Sequence, residues 1–280
     1  MQHVQRLPAA VPSGRTRAAR PPAHEGTVRG GLNLVQHGRG PRRVLCLHGL
    51  AGSADTFLTM LPHLPADVSL LAVDLPGYGR SEPPSVWTPD GLCDALLQGL
   101  DAHGVEGPIE VIGNCSGAIM AVLLKERAPT RFGRLHLVEP FSSTPWFFAI
   151  FTLPILGALF FWSTFYTPIG RALTNLRLSG MRGEDVDMTE GFSRCPAYVP
   201  LGYLRALRAV GDARRFAGLP AEVRLIRGAR TFPAIETGVE VWRSVWPDAE
   251  VRVLPEAGHV PFRESPGALA DAALGDARRA

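Results

Sequence analysis

The tightest constraint in the chain is the segment Val111-Ile112-Gly113-Asn114-Cys115-Ser116-Gly117-Ala118. A short strand pattern from Ile109 to Ile112 runs into a glycine, a second glycine follows within a few residues, and Ala118 to Leu124 reads as a helix. This is the strand–elbow–helix that lifts a nucleophile above a sheet. Small residues stand two before and two after the tip because the backbone is folded too tightly there for larger side chains. In that register the tip is Cys115, where serine is the usual residue. Two other readings of the same residues stay open. Cys115 can be a buried, inert thiol that merely fits the turn, or the register can shift so that Ser116 attacks, which puts Asn114 where a small residue is wanted.

A chain of 280 residues with 46% hydrophobic composition has material for one large α/β core. The net charge of +3 comes from the first 24 residues, which hold Arg6, Arg15, Arg17 and Arg20 and no acid. The remainder is close to neutral, so no nucleic-acid footprint is present. Residues 1–25 read as a disordered Pro/Ala/Arg-rich tail, with a transit peptide as the alternative. Cys46, Cys93, Cys115 and Cys195 form no C-x-x-C pair and no zinc spacing, and no cofactor is implied. A reducing, cytoplasmic compartment fits free thiols best.

Along the chain, strands alternate with helices. Thr27–Gln36 reads as an edge strand, and Arg43–Leu47 and Val68–Val73 as strands buried on both faces. A helix is expected near Ala54 and another over Pro89–His103, with Leu92, Ala95, Leu96 and Leu100 on one face. After the elbow come a strand over Leu135–Glu139 stopped by Pro140, strands at Val223–Arg227 and Val251–Leu254 around a helix near Ile235–Val245, and a helix from Pro266. Such alternation implies right-handed crossovers and a mostly parallel sheet. From Phe141 to about Gly218 it stops. Phe141–Gly170 carries no charged residue, and Pro145, Pro154 and Pro168 interrupt it. A helical lid over a greasy pocket is the first reading; membrane-surface contact through that lid, or a true span, are the others.

The elbow, the His48-Gly49-Leu50 loop, the turn Asp74-Leu75-Pro76-Gly77-Tyr78-Gly79-Arg80-Ser81 and the late Gly258-His259-Val260-Pro261 segment occur in order. Together they resemble the α/β-hydrolase superfamily. The resemblance implies an α/β fold with a mostly parallel eight-stranded sheet flanked by helices. It divides the chain into a core over 26–140 and 219–280 and a lid over 141–218, inserted after strand six. It also implies hydrolysis or transfer of esters, thioesters and related bonds.

On that resemblance His259 is the base, and the oxyanion hole is formed by the backbone N–H groups of Leu50 and Ser116. The acid departs from the common pattern. Where most members carry aspartate after strand seven, Gly228-Ala229-Arg230-Thr231 places Thr231. Glu139 lies at a second known location, the end of strand six, from which a carboxylate can reach the same imidazole. His48 is expected to hold backbone geometry rather than move protons. The lid aromatics Trp146, Phe147, Phe148, Phe151, Phe160, Phe161 and Trp162 point to a small-molecule substrate with an apolar acyl group, free or linked to CoA or a carrier. Esterase or thioesterase is the first functional reading. An acyltransferase on the same scaffold and a non-catalytic binding protein for hydrophobic ligands or membranes are its rivals.

Overall fold

The computed structural model describes residues 26–183 and 186–275, so the N-terminal tail lies outside the described residues. Strands β1 (Thr27–Arg29) and β2 (Leu32–His37) pair antiparallel. The single edge strand expected over Thr27–Gln36 is therefore a hairpin. Gly30 and Gly31 take φ of 54° and 76°, the left-handed pair that a two-residue hairpin turn demands.

β3 (Arg42–Leu47) leads into ten residues of 3-10 turns, Ala54–His63, where an ordinary helix was expected. Then follow β4 (Val68–Val73), α1 (Pro89–Ala102), β5 (Ile109–Asn114), α2 (Ser116–Arg127) and β6 (Phe132–Val138). α1 starts where Thr88 Oγ1 accepts the Gly91 N–H at 3.1 Å, with Pro89 in the first turn. Glu139, expected as the last strand residue, sits one step past the end of β6.

Beyond it the chain leaves the sheet for α3 (Trp146–Ala149), α4 (Leu156–Phe165), α5 (Pro168–Arg177) and α6 (Tyr198–Val210). It returns as β7 (Val223–Gly228), α7 (Pro233–Val245), β8 (Glu250–Leu254), α8 (Pro261–Glu264) and α9 (Pro266–Leu274). No single helix among the described residues is long and apolar enough to cross a membrane.

The eight strands form one sheet in the order β1-β2-β4-β3-β5-β6-β7-β8, antiparallel at β1, β2 and β4 and parallel from β4 through β8. Alternation of side chains splits each central strand between two cores. Leu45, Leu47, Val111 and Leu137 pack with α1, α2 and α7, whereas Val44, Cys46, Ile112 and Val138 pack with the 3-10 segment and α9. Strands buried on both faces are why the sequence reads as continuous apolar runs. The sheet's order turns outward on either side of β3, so the carboxyl ends of β3 and β5 open onto a crevice where a ligand can sit.

Candidate active site

Cys115 stands between β5 and α2 with φ 52° and ψ −110°, a conformation that costs a non-glycine residue on the order of 1–3 kcal/mol. The surroundings enforce it. A methyl group on Gly117 would overlap the carbonyl oxygens of Leu47 and His48, and one on Gly113 would meet the backbone of Gly117 and Ala118. The Cys115 N–H still bonds Val138 O at 2.8 Å, so the residue is pinned to β6 at the moment it leaves β5. Glu139 repeats the device one strand over: its φ is 54°, and its N–H bonds Ile226 O of β7 at 2.8 Å. Two strained residues on adjacent strand ends are thus held by the sheet itself.

Between them lies His259. Its backbone N–H donates to Met181 O at 2.9 Å, and its Nδ1 donates to Glu139 Oε2 at 2.8 Å. The Cys115 sulfur lies near enough to the same imidazole to act on its titration. With Nδ1 committed to Glu139, Nε2 is left as the nitrogen a general base uses. Burial by itself would lower the imidazole pKa, but the hydrogen bonds to Cys115 and Glu139 and their charges outweigh it, raising His259 to about 10. Phe232 packs edge-on against the ring with centroids 4.6 Å apart.

Glu139 is fully buried, and its lone pairs are accounted for. Oε1 accepts the Gly228 N–H at 2.6 Å, while Oε2 takes the Thr231 hydroxyl as well as His259. Thr231 therefore stands at the place where the resemblance expects aspartate and donates to the carboxylate that reaches the same imidazole.

The sulfur opens on a cleft of about 1340 Å³, lined near Cys115 by Tyr78, Phe147, Phe148, Phe151, Phe232 and His259. The lid aromatics divide here. Phe147, Phe148 and Phe151 line the cleft and Phe161 is buried within the insertion, but Trp146, Phe160 and Trp162 face solvent. Those last three do not contribute to the pocket as expected. Helical periodicity alone does not say which side of an all-apolar segment turns inward.

Residues 42–179 match a family described as alpha/beta hydrolase fold. Over most of its length the chain superposes on the enol-lactonase from Burkholderia xenovorans LB400, with a TM-score of 0.69 at 18% identity, covering 87% of this chain and 95% of that one. The fold is that of the α/β-hydrolase superfamily. Two curated relatives share part of this sequence. Lipase LipV of Mycobacterium tuberculosis is 36% identical over 110 residues, 39% of this chain and 41% of that protein. The dihydrolipoyllysine-residue acetyltransferase component of the acetoin cleaving system of Cupriavidus necator is 33% identical over 110 residues, 39% of this chain and 29% of that protein. The chain thus spans well under half the length of these relatives.

Within the α/β-hydrolase frame, Leu50 and Ser116 both border the space beside Cys115, Ser116 as the first residue of α2, where N–H groups have no intrahelical partner. Among the described residues the Ser116 hydroxyl is buried without a hydrogen-bond partner, while the strained backbone and the interaction with His259 belong to Cys115. His48 is buried with both ring nitrogens engaged. Nδ1 donates to Gly49 O at 2.8 Å and Nε2 accepts the Leu75 N–H at 2.9 Å, and burial lowers its pKa.

Sequence reasoning passed over Asp74. Its buried carboxylate accepts from Asn33 Nδ2 and the Ala54 N–H, both at 2.8 Å, and from the Arg80 N–H at 3.0 Å. It ties the loop after β4 to the start of the 3-10 segment that follows Leu50. Only its company in a glycine-rich turn hinted at this.

Proposed function

We propose that this α/β-hydrolase cleaves an ester or thioester of an apolar acyl group through Cys115, His259 and Glu139, beneath a lid formed by the helices between β6 and β7. The observation that carries the reading is the His259 imidazole set beside the Cys115 sulfur on one aromatic cleft and held through Nδ1 by the buried Glu139 carboxylate at 2.8 Å.

In this reading Cys115 and His259 act as a thiolate–imidazolium pair, the proton resting on Nε2 before substrate binds, and the thiolate attacks the carbonyl carbon. Leu50 and Ser116 N–H groups stabilise the resulting oxyanion, each donor lowering the barrier by on the order of 3 kcal/mol. The imidazolium returns its proton to the departing alcohol or thiol as the bond breaks, leaving a thioester on Cys115. Water, deprotonated by His259, then releases the acid and restores the pair. Glu139 holds the Nδ1–H throughout, fixing the tautomer and the ring orientation. Phe147, Phe148 and Phe151 supply apolar contact for the acyl chain. The name of the mycobacterial relative, a lipase, is in keeping with an apolar ester.

Acyl transfer is the second reading, favoured by the acetyltransferase relative and by the chemistry of a thioester, which passes its acyl group to an alcohol, amine or thiol as readily as to water.

A thiol-reactive acyl probe tests the assignment. Burial pushes the thiols of Cys46, Cys93 and Cys195 up, Cys93 to about 12, so they present little thiolate at neutral pH. Labelling is expected at Cys115 alone, lost in Cys115→Ala and weakened in His259→Ala. Labelling spread over all four cysteines would point to a binding protein instead. Turnover of p-nitrophenyl esters and acyl-CoA thioesters of rising chain length, with and without an added alcohol, separates hydrolysis from transfer.

A further inference from the structure

Helix α5 is inside out. Its polar side faces the protein: the Arg171 guanidinium donates to Asp187 at 2.8 Å and to Thr189 at 3.0 Å, and Asn175 donates to Asp187 at 2.7 Å. Its apolar side, Ile169, Leu173 and Leu176, lies on one stripe and points to solvent, with 75% of Ile169 and 72% of Leu176 exposed. A helix oriented by burial within its own chain turns the other way. The hydrogen bonds to Asp187 and Thr189 hold the apolar stripe outward.

The neighbouring corner does the same. The helical stretches Trp146–Thr152 and Leu156–Phe165 meet at 118°, and Ile155 stands between them with φ 57° and 88% of its surface exposed. Trp146 and Trp162 flank it, also outward. Exposed apolar surface this extensive on two helices packed side by side marks an interaction site.

We propose that the α4–α5 face of the lid seats on a lipid surface carrying anionic headgroups. Charge and continuity select that occupant. Between Glu139 and Gly183 there is no acidic residue, and with Arg171 turned inward onto Asp187 the charge at the apolar stripe is that of Arg177. Arg177 is exposed beside Leu176 at the end of the stripe. A second copy docked by a two-fold axis would set the Arg177 charges of the two stripes on one interface, whereas headgroup phosphates complement them. Exposed tryptophans at the rim suit the water–lipid boundary. Leu173 belongs both to the outer stripe and to the wall of the cleft, so the seated face leads toward Cys115. Seating on lipid does not require the proposed chemistry, and it is read out separately.

The full chain is mixed with vesicles of phosphatidylcholine, with or without phosphatidylglycerol, and floated on a density gradient. Wild type is expected to rise with the phosphatidylglycerol vesicles and less with phosphatidylcholine alone. The triple variant Ile155→Ser, Ile169→Ser, Leu176→Ser removes exposed apolar side chains that the protein interior does not use. Its affinity should fall by at least about 100-fold, while its circular dichroism and thermal unfolding stay those of wild type. Wild type left at the bottom of the gradient, or a triple variant that floats equally, overturns the proposal. So does a wild-type dimer in sedimentation equilibrium that the same substitutions dissociate, if neither protein binds vesicles; the face then belongs to a second copy.

Discussion

Glu139 reaches His259 from the end of β6 only because its backbone bends to φ 54°, and Gly228 and Thr231 then satisfy the oxygen capacity the imidazole leaves over. Glu139→Gln keeps the size and the hydrogen bond from Gly228 but removes the charge that favours the imidazolium. We expect kcat/KM on a p-nitrophenyl ester to drop by on the order of 100-fold or more, with unfolding by urea little changed. The same variant carries a pH signature. Because His259 is raised to about 10, its role as the acid that protonates the leaving group should persist to that pH in wild type. The alkaline limb of kcat/KM should move to lower pH in Glu139→Gln, and an unmoved limb would show that Glu139 does not set it. Thr231 allows a relocation test. In the Glu139→Gln background, Thr231→Asp returns a carboxylate to the neighbourhood of the same nitrogen, and recovery of part of the lost rate is the expected result.

The elbow between β5 and α2 depends on backbone clearance more than on side-chain chemistry. Gly117→Ala would drive a methyl into the carbonyl oxygens of Leu47 and His48, neither of which can swing aside without disturbing β3. A loss of about 2–4 kcal/mol in urea unfolding is expected. Gly104→Ala is the matched control: it also has positive φ, 64°, but nothing within 4 Å, so it should cost about 1 kcal/mol.

This dependence on glycine is why the elbow was legible from the sequence, as were the buried parallel strands, whose apolar runs admit few other placements. Cys115, His259 and Glu139 were readable as candidates because each follows a strand at a position the superfamily resemblance singles out. Other features were not readable. The Gly30-Gly31 turn hides inside a stretch that alternates like one strand, and Asp74 gains its role only from the three elements it joins. The orientation of α5 was hidden for a deeper reason. Periodicity identifies a helix's two faces but not which one the rest of the fold will cover, and here Asp187 and Thr189, far along the chain, decide it.

At the scale of the whole molecule, the two ends of the sheet carry opposite tasks. The carboxyl ends hold the strained candidates for chemistry, and the other end holds the charge pairs that close the sheet against α9. Arg42 pairs with Glu110 at 2.7 Å and donates to Leu274 O at 3.0 Å. Arg224 pairs with Glu250 at 2.6 Å and donates to the carbonyls of Ala272 and Ala273, both at 2.9 Å. Two guanidinium groups from different strands thus cap the last turn of one helix, where its dipole favours cations. Glu110 also bonds His136 at 2.8 Å. Burial alone would raise its pKa, but the hydrogen bonds from His136 and Arg42 and the Arg42 charge outweigh it, lowering Glu110 from 4.5 to about 2. A depressed carboxylate stabilises the fold fully above its unfolded value and loses that contribution as pH falls. Glu110 should therefore add a slope of about 1.4 kcal/mol per pH unit to acid unfolding between 4.5 and about 2. His259 has the opposite sign: raised from 6.5 to about 10, it stabilises below 6.5 and loses its contribution as pH climbs to 10. For these two groups stability is greatest between pH 4.5 and 6.5. Glu110→Gln should flatten the acid limb of unfolding free energy measured in urea, while sparing activity at neutral pH, because Glu110 lies well back along β5 from Cys115. An acid limb equally steep in the variant would place the acid lability in other carboxylates, and a loss of activity would mean that the two ends of the sheet are coupled.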